Sequence, residues 1–377
     1  MQTRKTYLLH WVCIFLCILT PLFSSAAEYW NRFRGPNGTG IADSTIKLRD
    51  LQKGDIAWKL DLPGKGHSSP VIWGGFLYLT CMNEDSSNFH VLSIHRETGN
   101  ISWSREMAYQ TFSKHDFNSF ASPSATVDKD RVYLSWATPK HYFVAALDHA
   151  GEWLWKKDLG PFKSQHGVGV SPVLYQDKLI IANDQLGQSF SVALDKTSGS
   201  SIWKTKRRRD KAAYSTPCVY HKPDGKNQLI VNSAADGVSG LDPDNGKVLW
   251  SYADAFDKRS CSSPIVAGGR IFGSCGSGGG GNFVVAIDPP AGPQAKPKLA
   301  YTIKRSANYV PTPIAVDGLA FFWSDGGILT CANPETGKIH YQERVRGRYF
   351  GSPVSNGSEI ACVSTTGEIV VTAASDK

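Results

Sequence analysis

The chain has 377 residues, of which 41% are hydrophobic and 20% are charged, and it includes 11 Trp and 17 Phe. This apolar content excludes a wholly disordered chain, because it is enough to build a sizeable core. Lys and Arg outnumber Asp and Glu by 41 to 33, which gives a formal net charge of +8. An excess of positive charge favours anionic partners.

The first residues have the pattern of an export signal. Arg4 and Lys5 precede an apolar stretch over residues 7–19, and residues 25–27 (Ser-Ala-Ala) offer a small-residue cleavage site. We therefore predict a signal peptide over residues 1–27 and a periplasmic or extracellular location; an uncleaved membrane anchor is the alternative. No later apolar run reaches the length of a membrane span, so we expect none after cleavage.

A Ser-Pro or Thr-Pro pair recurs seven times after the leader, with 40 to 53 residues between successive prolines. A short apolar segment, a turn and a second β-rich segment follow each pair, which predicts a hairpin. The pairs are Ser69-Pro70, Ser122-Pro123, Ser171-Pro172, Thr216-Pro217, Ser263-Pro264, Thr312-Pro313 and Ser352-Pro353.

Five units carry a second signature, in which a large aromatic follows a glycine by four residues. The glycine predicts a tight turn with positive φ, and the next strand then carries its aromatic at a fixed position. In a radial array such an aromatic can pack between neighbouring units. The pairs are Gly99/Trp103, Gly151/Trp155, Gly199/Trp203, Gly246/Trp250 and Gly337/Tyr341.

Each unit thus supplies about four strands in about 45 residues, which is typical of a propeller blade. We predict an all-β propeller of four-stranded blades, with seven repeats visible and seven or eight blades in the ring. Residues 28–55 are predicted to be an N-terminal extension and residues 56–377 the propeller domain. The last unit has three strands, so we expect an N-terminal strand over residues 56–60 to complete it and close the ring.

These repeats, together with Trp30, Phe33, Arg34, Gly35 and Pro36 near the start, resemble the pyrroloquinoline-quinone-like β-propeller repeat family. The similarity is greatest to secreted propellers of planctomycete-type bacteria. It is more distant to the outer-membrane assembly propeller and to quinoprotein alcohol dehydrogenases. The resemblance implies the fold and leaves the function open, because propellers host many activities.

Positive charge collects in the segments that connect one unit to the next, which hold 20 Lys and Arg against eight Asp and Glu. Because strand direction alternates, these connectors share one face, and that face is expected to attract anions. Solvated connector charge without a ligand is the alternative. The densest points are Lys206, Arg207, Arg208, Arg209, Arg344, Arg346 and Arg348.

Polar or aromatic residues lie just before several Ser/Thr-Pro pairs, where each inner strand begins. We expect them to surround the mouth of the central channel and to form a shared pocket; ordinary turn positions are the alternative. They include His67, Asn118, His166 and Asn308.

The sequence favours no catalytic residue and no metal site. It has no metal-binding motif and no adjacent Cys-Cys pair of the kind that quinone-dependent dehydrogenases often use. Cys261 and Cys275 flank one predicted hairpin, where they either pair or stay as small buried residues.

Two functions follow from these observations. The first is an exported, non-catalytic propeller without a cofactor that binds an envelope or extracellular protein, or an anionic polysaccharide, through its basic connector face. Nucleic acid is not expected as a partner, because export separates the protein from it. The alternative is a quinone-dependent oxidoreductase that uses pyrroloquinoline quinone with calcium.

Overall fold

The computed structural model describes residues 29–222, 224–292 and 294–377, so the predicted signal peptide lies outside the described residues. Seven antiparallel sheets follow one another along the chain, and each is one blade of a propeller. Blade 1 contains β3 (Val71–Trp73), β4 (Phe76–Asn83), β5 (Asn88–His95) and β6 (Ile101–Ala108). Two short strands extend this sheet: β1 (Tyr29–Trp30) pairs with β3, and β2 (Gly64–Lys65) pairs with β4.

Blades 2 to 6 each have four strands that pair in chain order. Blade 2 contains β7 (Thr126–Val127), β8 (Val132–Ala137), β9 (Tyr142–Leu147) and β10 (Trp153–Asp158). Blade 3 contains β11 (Val173–Tyr175), β12 (Lys178–Asn183), β13 (Phe190–Asp195) and β14 (Ser201–Lys206). Blade 4 contains β15 (Cys218–Tyr220), β16 (Gln228–Ser233), β17 (Gly237–Leu241) and β18 (Val248–Tyr252).

The last three blades complete the array. Blade 5 contains β19 (Ile265–Ala267), β20 (Arg270–Cys275), β21 (Phe283–Asp288) and β22 (Lys298–Ile303). Blade 6 contains β23 (Ile314–Val316), β24 (Leu319–Trp323), β25 (Ile328–Ala332) and β26 (Ile339–Arg344). Blade 7 contains β27 (Val354–Ser355), β28 (Glu359–Val363) and β29 (Ile369–Ala373). The short 3-10 turns are Pro36–Gly38, Leu48–Asp50, Lys53–Asp55 and Ala253–Ala255.

The core lies between the faces of neighbouring blades. In blade 3, β12 is buried at all six positions, whereas β14 at the rim buries only Trp203. The middle strands are buried on both faces because each sheet is covered by a blade on either side. No helix within the described ranges has the length and hydropathy of a membrane span. The six cysteines after the leader are all free, so Cys261 and Cys275 do not pair.

The repeated hydroxyl residue joins each blade to the next. The backbone N–H of Ser171 donates to the Thr216 hydroxyl at 3.1 Å, and Thr216 donates in the same way to Ser263. In blade 2 the acceptor is Ser124 rather than the Ser122 of the Ser-Pro pair. This ladder passes from Ser69 to Ser352 with distances of 2.8–3.1 Å. The Ser/Thr-Pro repeat therefore marks contacts between blades around the channel.

The expected packing of the repeated aromatic between blades is confirmed for most units. The indole N–H of Trp103 donates to the His149 carbonyl of the next blade at 2.8 Å, and the ring covers Gly151. Trp155, Trp203 and Tyr301 make equivalent bonds to the following blade. Trp250 differs, because its indole donates to Gln228 within its own blade.

The predicted ring closure by a strand over residues 56–60 is wrong. The structure assigns no strand to these residues, and the sheet of blade 7 keeps three strands. The segment packs on blade 1 instead, where the Trp58 indole donates to the Arg96 carbonyl at 2.8 Å and its ring covers Gly99. Trp58 thus makes the contact that the rim aromatic of a preceding blade makes elsewhere, without pairing to β29.

Residues 29–42 fill the end of the channel that is farther from the connectors. The Asn31 carbonyl accepts a hydrogen bond from the Val127 N–H of blade 2. The Asn37 side-chain amide donates to the Val219 carbonyl of blade 4 and accepts from the Val219 N–H. The segment then reaches blade 7, where Ala42 donates to the Ser355 carbonyl. Inner strands that lie far apart in sequence are thereby tied to one segment.

Two buried arginines hold residues 29–42, the segment that we call the plug, against the inner strands. Arg34 is 3% exposed and donates to the carbonyls of Pro313 in blade 6 and Pro353 in blade 7, at 2.9 and 2.7 Å. It does so from a left-handed backbone conformation with φ of 63°, which a non-glycine residue adopts only where its surroundings enforce it. Arg32 is 4% exposed and donates to Pro217 in blade 4 at 2.6 Å.

Candidate binding site at the channel mouth

The connectors between blades meet at the end of the channel opposite residues 29–42. Phe117, from the connector between blades 1 and 2, contacts Phe350, from the connector between blades 6 and 7, with ring centroids 5.4 Å apart. The Arg348 guanidinium lies 5.5 Å from the centroids of both rings. Phe117 is 56% exposed, so this cation–aromatic cluster faces solvent.

Histidines continue the mouth on the neighbouring connectors. The rings of His115 and His166 lie 5.0 Å apart, and His166 also approaches Tyr214 at 6.3 Å. Burial lowers the pKa of His166, and the positive charges of Arg259 and His115 lower it further. Arg259 and His115 thus add positive charge around His166.

His67 is exposed at the start of blade 1, and its backbone N–H donates to the Ala121 carbonyl of blade 2. The surrounding protein nevertheless desolvates part of the imidazole, and this desolvation, followed by the charge of Lys114, lowers the pKa of His67, while a hydrogen bond with Asn118 opposes that change. As at His166, the nearby charge is positive.

The opposite side of the mouth is formed by Arg259. Its guanidinium donates to the Gln165 side chain of the connector between blades 2 and 3 at 2.8 Å, and to the Tyr309 hydroxyl at 3.4 Å. The Asp325 carboxylate accepts the backbone N–H groups of Tyr309 and Val310 at 2.7 and 3.2 Å. Burial raises the pKa of Asp325 despite these bonds.

Asn118 has a local structural role beneath this mouth. Its amide donates to the His166 carbonyl at 2.6 Å, which ties the first two connectors together. Gly167 allows this approach, because a Cβ there would lie 2.9 Å from the Asn118 amide nitrogen and φ is +91°. The amide of Asn118 is thus already engaged by the chain.

Arg207 and Asn308, expected at the binding surface, are buried instead. Arg207 is 5% exposed and forms an ion pair with Asp184 at 2.7 Å, because the connector turns inward over the ends of β12 and β16. Asn308 is fully buried and donates to Ser274 and Pro311 within the protein. Both residues therefore stabilise the connectors from below.

The remaining charges at the densest basic points are exposed. Arg208 pairs with Asp236 at 2.8 Å. Within the described part of the chain, five of the predicted cations have no carboxylate within 4.0 Å: Lys206, Arg209, Arg344, Arg346 and Arg348. Exposed cations that form no ion pair within the protein remain available to an anionic partner.

Sequence reasoning missed Phe117, His115, Gln165 and Phe350. Each lies within three residues of a predicted mouth position, so closeness in sequence to those positions was the only indication of their place at the mouth. Which of two neighbouring connector residues points to the mouth depends on the loop conformation. Tyr349 illustrates this: it is buried and anchors its loop by donating to the Arg346 carbonyl, which leaves Arg348 and Phe350 at the surface.

The donor set at the mouth does not fit the calcium that accompanies a quinone in dehydrogenases of this fold. Among the residues that the structure describes, no group of three His, Cys, Asp or Glu side chains could hold a metal. The nearby buried carboxylates are engaged, Asp325 by backbone N–H groups and Asp184 by Arg207. We therefore derive no redox step at this site.

Known proteins share this architecture. The family model for the outer membrane protein assembly factor BamB matches residues 140–305, which extend from blade 2 to blade 5. The solved structure of BamB from Moraxella catarrhalis has a TM-score of 0.60 at 16% identity, and the match covers 82% of this chain and 83% of that chain.

Two dehydrogenase structures match with lower scores. Quinohemoprotein alcohol dehydrogenase from Comamonas testosteroni has a TM-score of 0.49 at 12% identity, over 90% of this chain and 77% of that chain. A europium-containing methanol dehydrogenase has a TM-score of 0.47 at 11% identity, over 92% and 89%. No curated protein matches the sequence.

The blades and the family match define a β-propeller. More specifically, the repeats of its central blades, over residues 140–305, are similar to those of the outer membrane protein assembly factor BamB family.

Proposed function

We propose that this protein is an exported, non-catalytic propeller that binds an acidic segment of an envelope or extracellular protein at its connector face. The observation that carries the proposal is the set of exposed cations that form no ion pair in the described part of the chain, next to the exposed Phe117. No cofactor is required, because the proposed activity is binding alone.

The chemistry of the mouth favours a protein segment over a uniform polyanion. Arg348 lies against Phe117 and Phe350, so this part of the surface offers both a positive charge and apolar aromatic area. An acidic peptide with apolar side chains can use both features, whereas a sulfated or uronic polysaccharide uses mainly the charge. The similarity to BamB, described as an outer membrane protein assembly factor, supports an envelope partner.

Binding of a labelled acidic peptide that contains Glu and Phe tests the proposal by fluorescence anisotropy. One variant carries Arg344→Ser, Arg346→Ser and Arg348→Ser. A matched control carries Lys226→Ser, Lys247→Ser and Lys338→Ser, which removes the same charge from exposed turns at the other end of the sheets.

We expect the connector variant to bind at least about tenfold more weakly, which corresponds to about 1.4 kcal/mol, and the control to bind like the unaltered protein. Equal losses in both variants would reject a specific connector face. A heparin-like chain that binds more tightly than the peptide, with no contribution from Phe117→Ser, would instead favour an anionic polysaccharide.

A further inference from the structure

Blade 7 lacks the outer strand that the other blades have, so its third strand is an open sheet edge. β29 pairs with β28 alone, whereas β13, the third strand of blade 3, pairs with a strand on either side. The residues of β13 are buried at five of six positions, but no residue of β29 is buried. A sheet edge of this kind presents backbone groups with which another chain can pair.

The hydrogen bonds at the two ends of β29 show which of its backbone groups face outward. The Ala374 N–H donates to the Ser358 carbonyl, and the Ser364 N–H donates to the Glu368 carbonyl, both at 2.8 Å. In an antiparallel ladder only every second residue bonds to a given neighbour. The N–H and C=O groups of the other residues point away from β28, and none has a hydrogen-bond partner in the described part of the chain. These residues are Ile369, Val371 and Ala373.

Apolar side chains lie along the same edge. Ile369 is 65% exposed, and Val363, opposite it in the ladder, is 46% exposed. The N-terminal segment leaves this edge unpaired, and its Trp58 and Leu60 pack against blade 1. A strand placed beside β29 would cover Ile369 with the side chain opposite it. The backbone and the side chains therefore both favour an extended segment as the occupant.

Positive charge lies at one end of the open edge. The hairpin between β28 and β29 contacts the connector between blades 6 and 7, where the Thr365 N–H donates to the Arg348 carbonyl at 2.8 Å. Arg344 and Arg346 are exposed just before Arg348. The three arginines outnumber Glu368, the acidic residue of the hairpin. An acidic residue at this end of an added strand would therefore be attracted.

We propose that blade 7 takes an extended acidic segment of the partner protein as its fourth strand, paired antiparallel to β29. This inference rests on the proposed function and adds the place and the direction of the bound segment. Because β29 begins at the connector end, an antiparallel segment runs toward that end and finishes beside the arginines. Its apolar residues therefore precede its acidic residues. Main-chain hydrogen bonds to Ile369, Val371 and Ala373 hold the segment in place.

The test uses two fluorescent peptides of identical composition. In the first peptide a run of alternating Val and Thr precedes a run of Glu, and in the second peptide the Glu run comes first. We expect the first peptide to bind at least about tenfold more tightly by fluorescence anisotropy. The reason is that only the first peptide brings its Glu residues to the arginines while it pairs antiparallel to β29.

A variant of the edge separates backbone pairing from attraction by charge. Val371→Pro removes an outward N–H, and proline is tolerated there because that N–H makes no bond within the sheet. Val371→Thr is the matched control, since it keeps the backbone N–H. Val371→Pro should weaken binding of the first peptide at least about tenfold, and Val371→Thr should leave it unchanged. The variant with Arg344, Arg346 and Arg348 changed to Ser should weaken binding of both peptides.

Hydrogen exchange covers the case in which Val371→Pro does not fold. The first peptide should slow backbone exchange in residues 369–373 of the unaltered protein. Equal affinity for the two peptides, binding that survives Val371→Pro, or unchanged exchange in residues 369–373 would overturn the proposal. A dimer of the unaltered protein that Val371→Pro dissociates would also overturn it, since a second copy would then be the occupant.

These outcomes are distinct from a failure of the proposed function. If the arginine variant loses peptide binding but the edge variant does not, the connector face still binds the acidic segment and only its pairing with β29 is rejected. If the arginine variant binds both peptides like the unaltered protein, the binding function of the connector face is rejected.

Discussion

The two ends of the channel treat positive charge in opposite ways. At the plugged end, Arg34 is buried and its guanidinium donates hydrogen bonds to four backbone carbonyls of the same chain. At the connector end, Arg344, Arg346 and Arg348 are exposed and form no ion pair within the described part of the chain. A satisfied charge contributes to the fold, whereas an unsatisfied surface charge is available to a partner. The contrast separates the structural cations of this propeller from its candidate binding cations.

The largest expected effect comes from removing the plug's central side chain. Arg34→Met leaves the carbonyls of Pro313, Pro353 and Thr39 buried without their donor, so we expect a loss of about 3–5 kcal/mol in the free energy of unfolding. Urea unfolding measures it. Arg346→Ser is the control and should change stability by less than about 0.5 kcal/mol. Similar values for the two variants would abolish the distinction between the two ends.

Arg207 should behave as a structural cation although it lies in the connector run. Arg207→Met leaves Asp184 buried without its partner and should cost about 3–5 kcal/mol at neutral pH. Burial already raises the pKa of Asp184 above its usual value. The folded state therefore binds a proton at Asp184 more tightly than the unfolded state does. As a result, the free energy of unfolding falls as pH rises from the unfolded-state pKa to the folded-state pKa.

Removing Arg207 raises the pKa of Asp184 further. The cost of Arg207→Met should therefore be smaller at pH 5 than at pH 8, as measured by unfolding at both values. A cost that is independent of pH, or one that grows on acidification, would show that Asp184 does not depend on this ion pair.

A smaller effect tests the contact by which the N-terminal segment holds blade 1. In Gly99→Ala the new methyl group would lie 2.5 Å from the Trp58 ring, at a φ of +72°. Gly225→Ala is a matched control, since its φ is +76° and nothing lies within 4 Å of the added Cβ. We expect Gly99→Ala to cost about 1–3 kcal/mol more than Gly225→Ala in thermal or urea unfolding.

These contrasts also explain what the sequence could predict. The blade repeat was predictable because each signature has a local cause: a positive φ at Gly151 and a hydroxyl acceptor at Thr216, both recurring with the blade. The plug was not, because Arg34 finds its acceptors 279 and 319 residues away. The predicted strand pairing of residues 56–60 is absent because this segment contacts blade 1 through Trp58, whose indole donates to the Arg96 carbonyl.

The candidate site was predicted in part. The cationic connectors followed from composition, but the burial of Arg207 depends on Asp184 and Asp236, which come from other strands. A run of four cations in sequence does not show which member turns inward. Phe117 could be found only once the loop placed it opposite Phe350.

The smallest expected effect concerns the alternative function. Addition of pyrroloquinoline quinone and calcium to the purified protein should produce no saturable absorbance change and no dye reduction. The reason is that Asp184 and Asp325 are engaged within the protein, and that no group of three His, Cys, Asp or Glu side chains comes together in the ranges that the structure describes. Saturable binding with dye reduction would replace the binding function with an oxidoreductase.

The most direct test of the account maps where a natural partner touches the propeller. A photo-crosslinking phenylalanine derivative is placed at Phe117 on the connector face, and separately at Lys247 on the opposite end of the sheets, in the native host. We predict a discrete crosslinked protein at Phe117 that disappears with the Arg344, Arg346 and Arg348 to Ser variant, and none at Lys247. Crosslinks at Lys247 alone, or crosslinks at Phe117 that are indifferent to these arginines, would contradict the assignment of binding to the connector face.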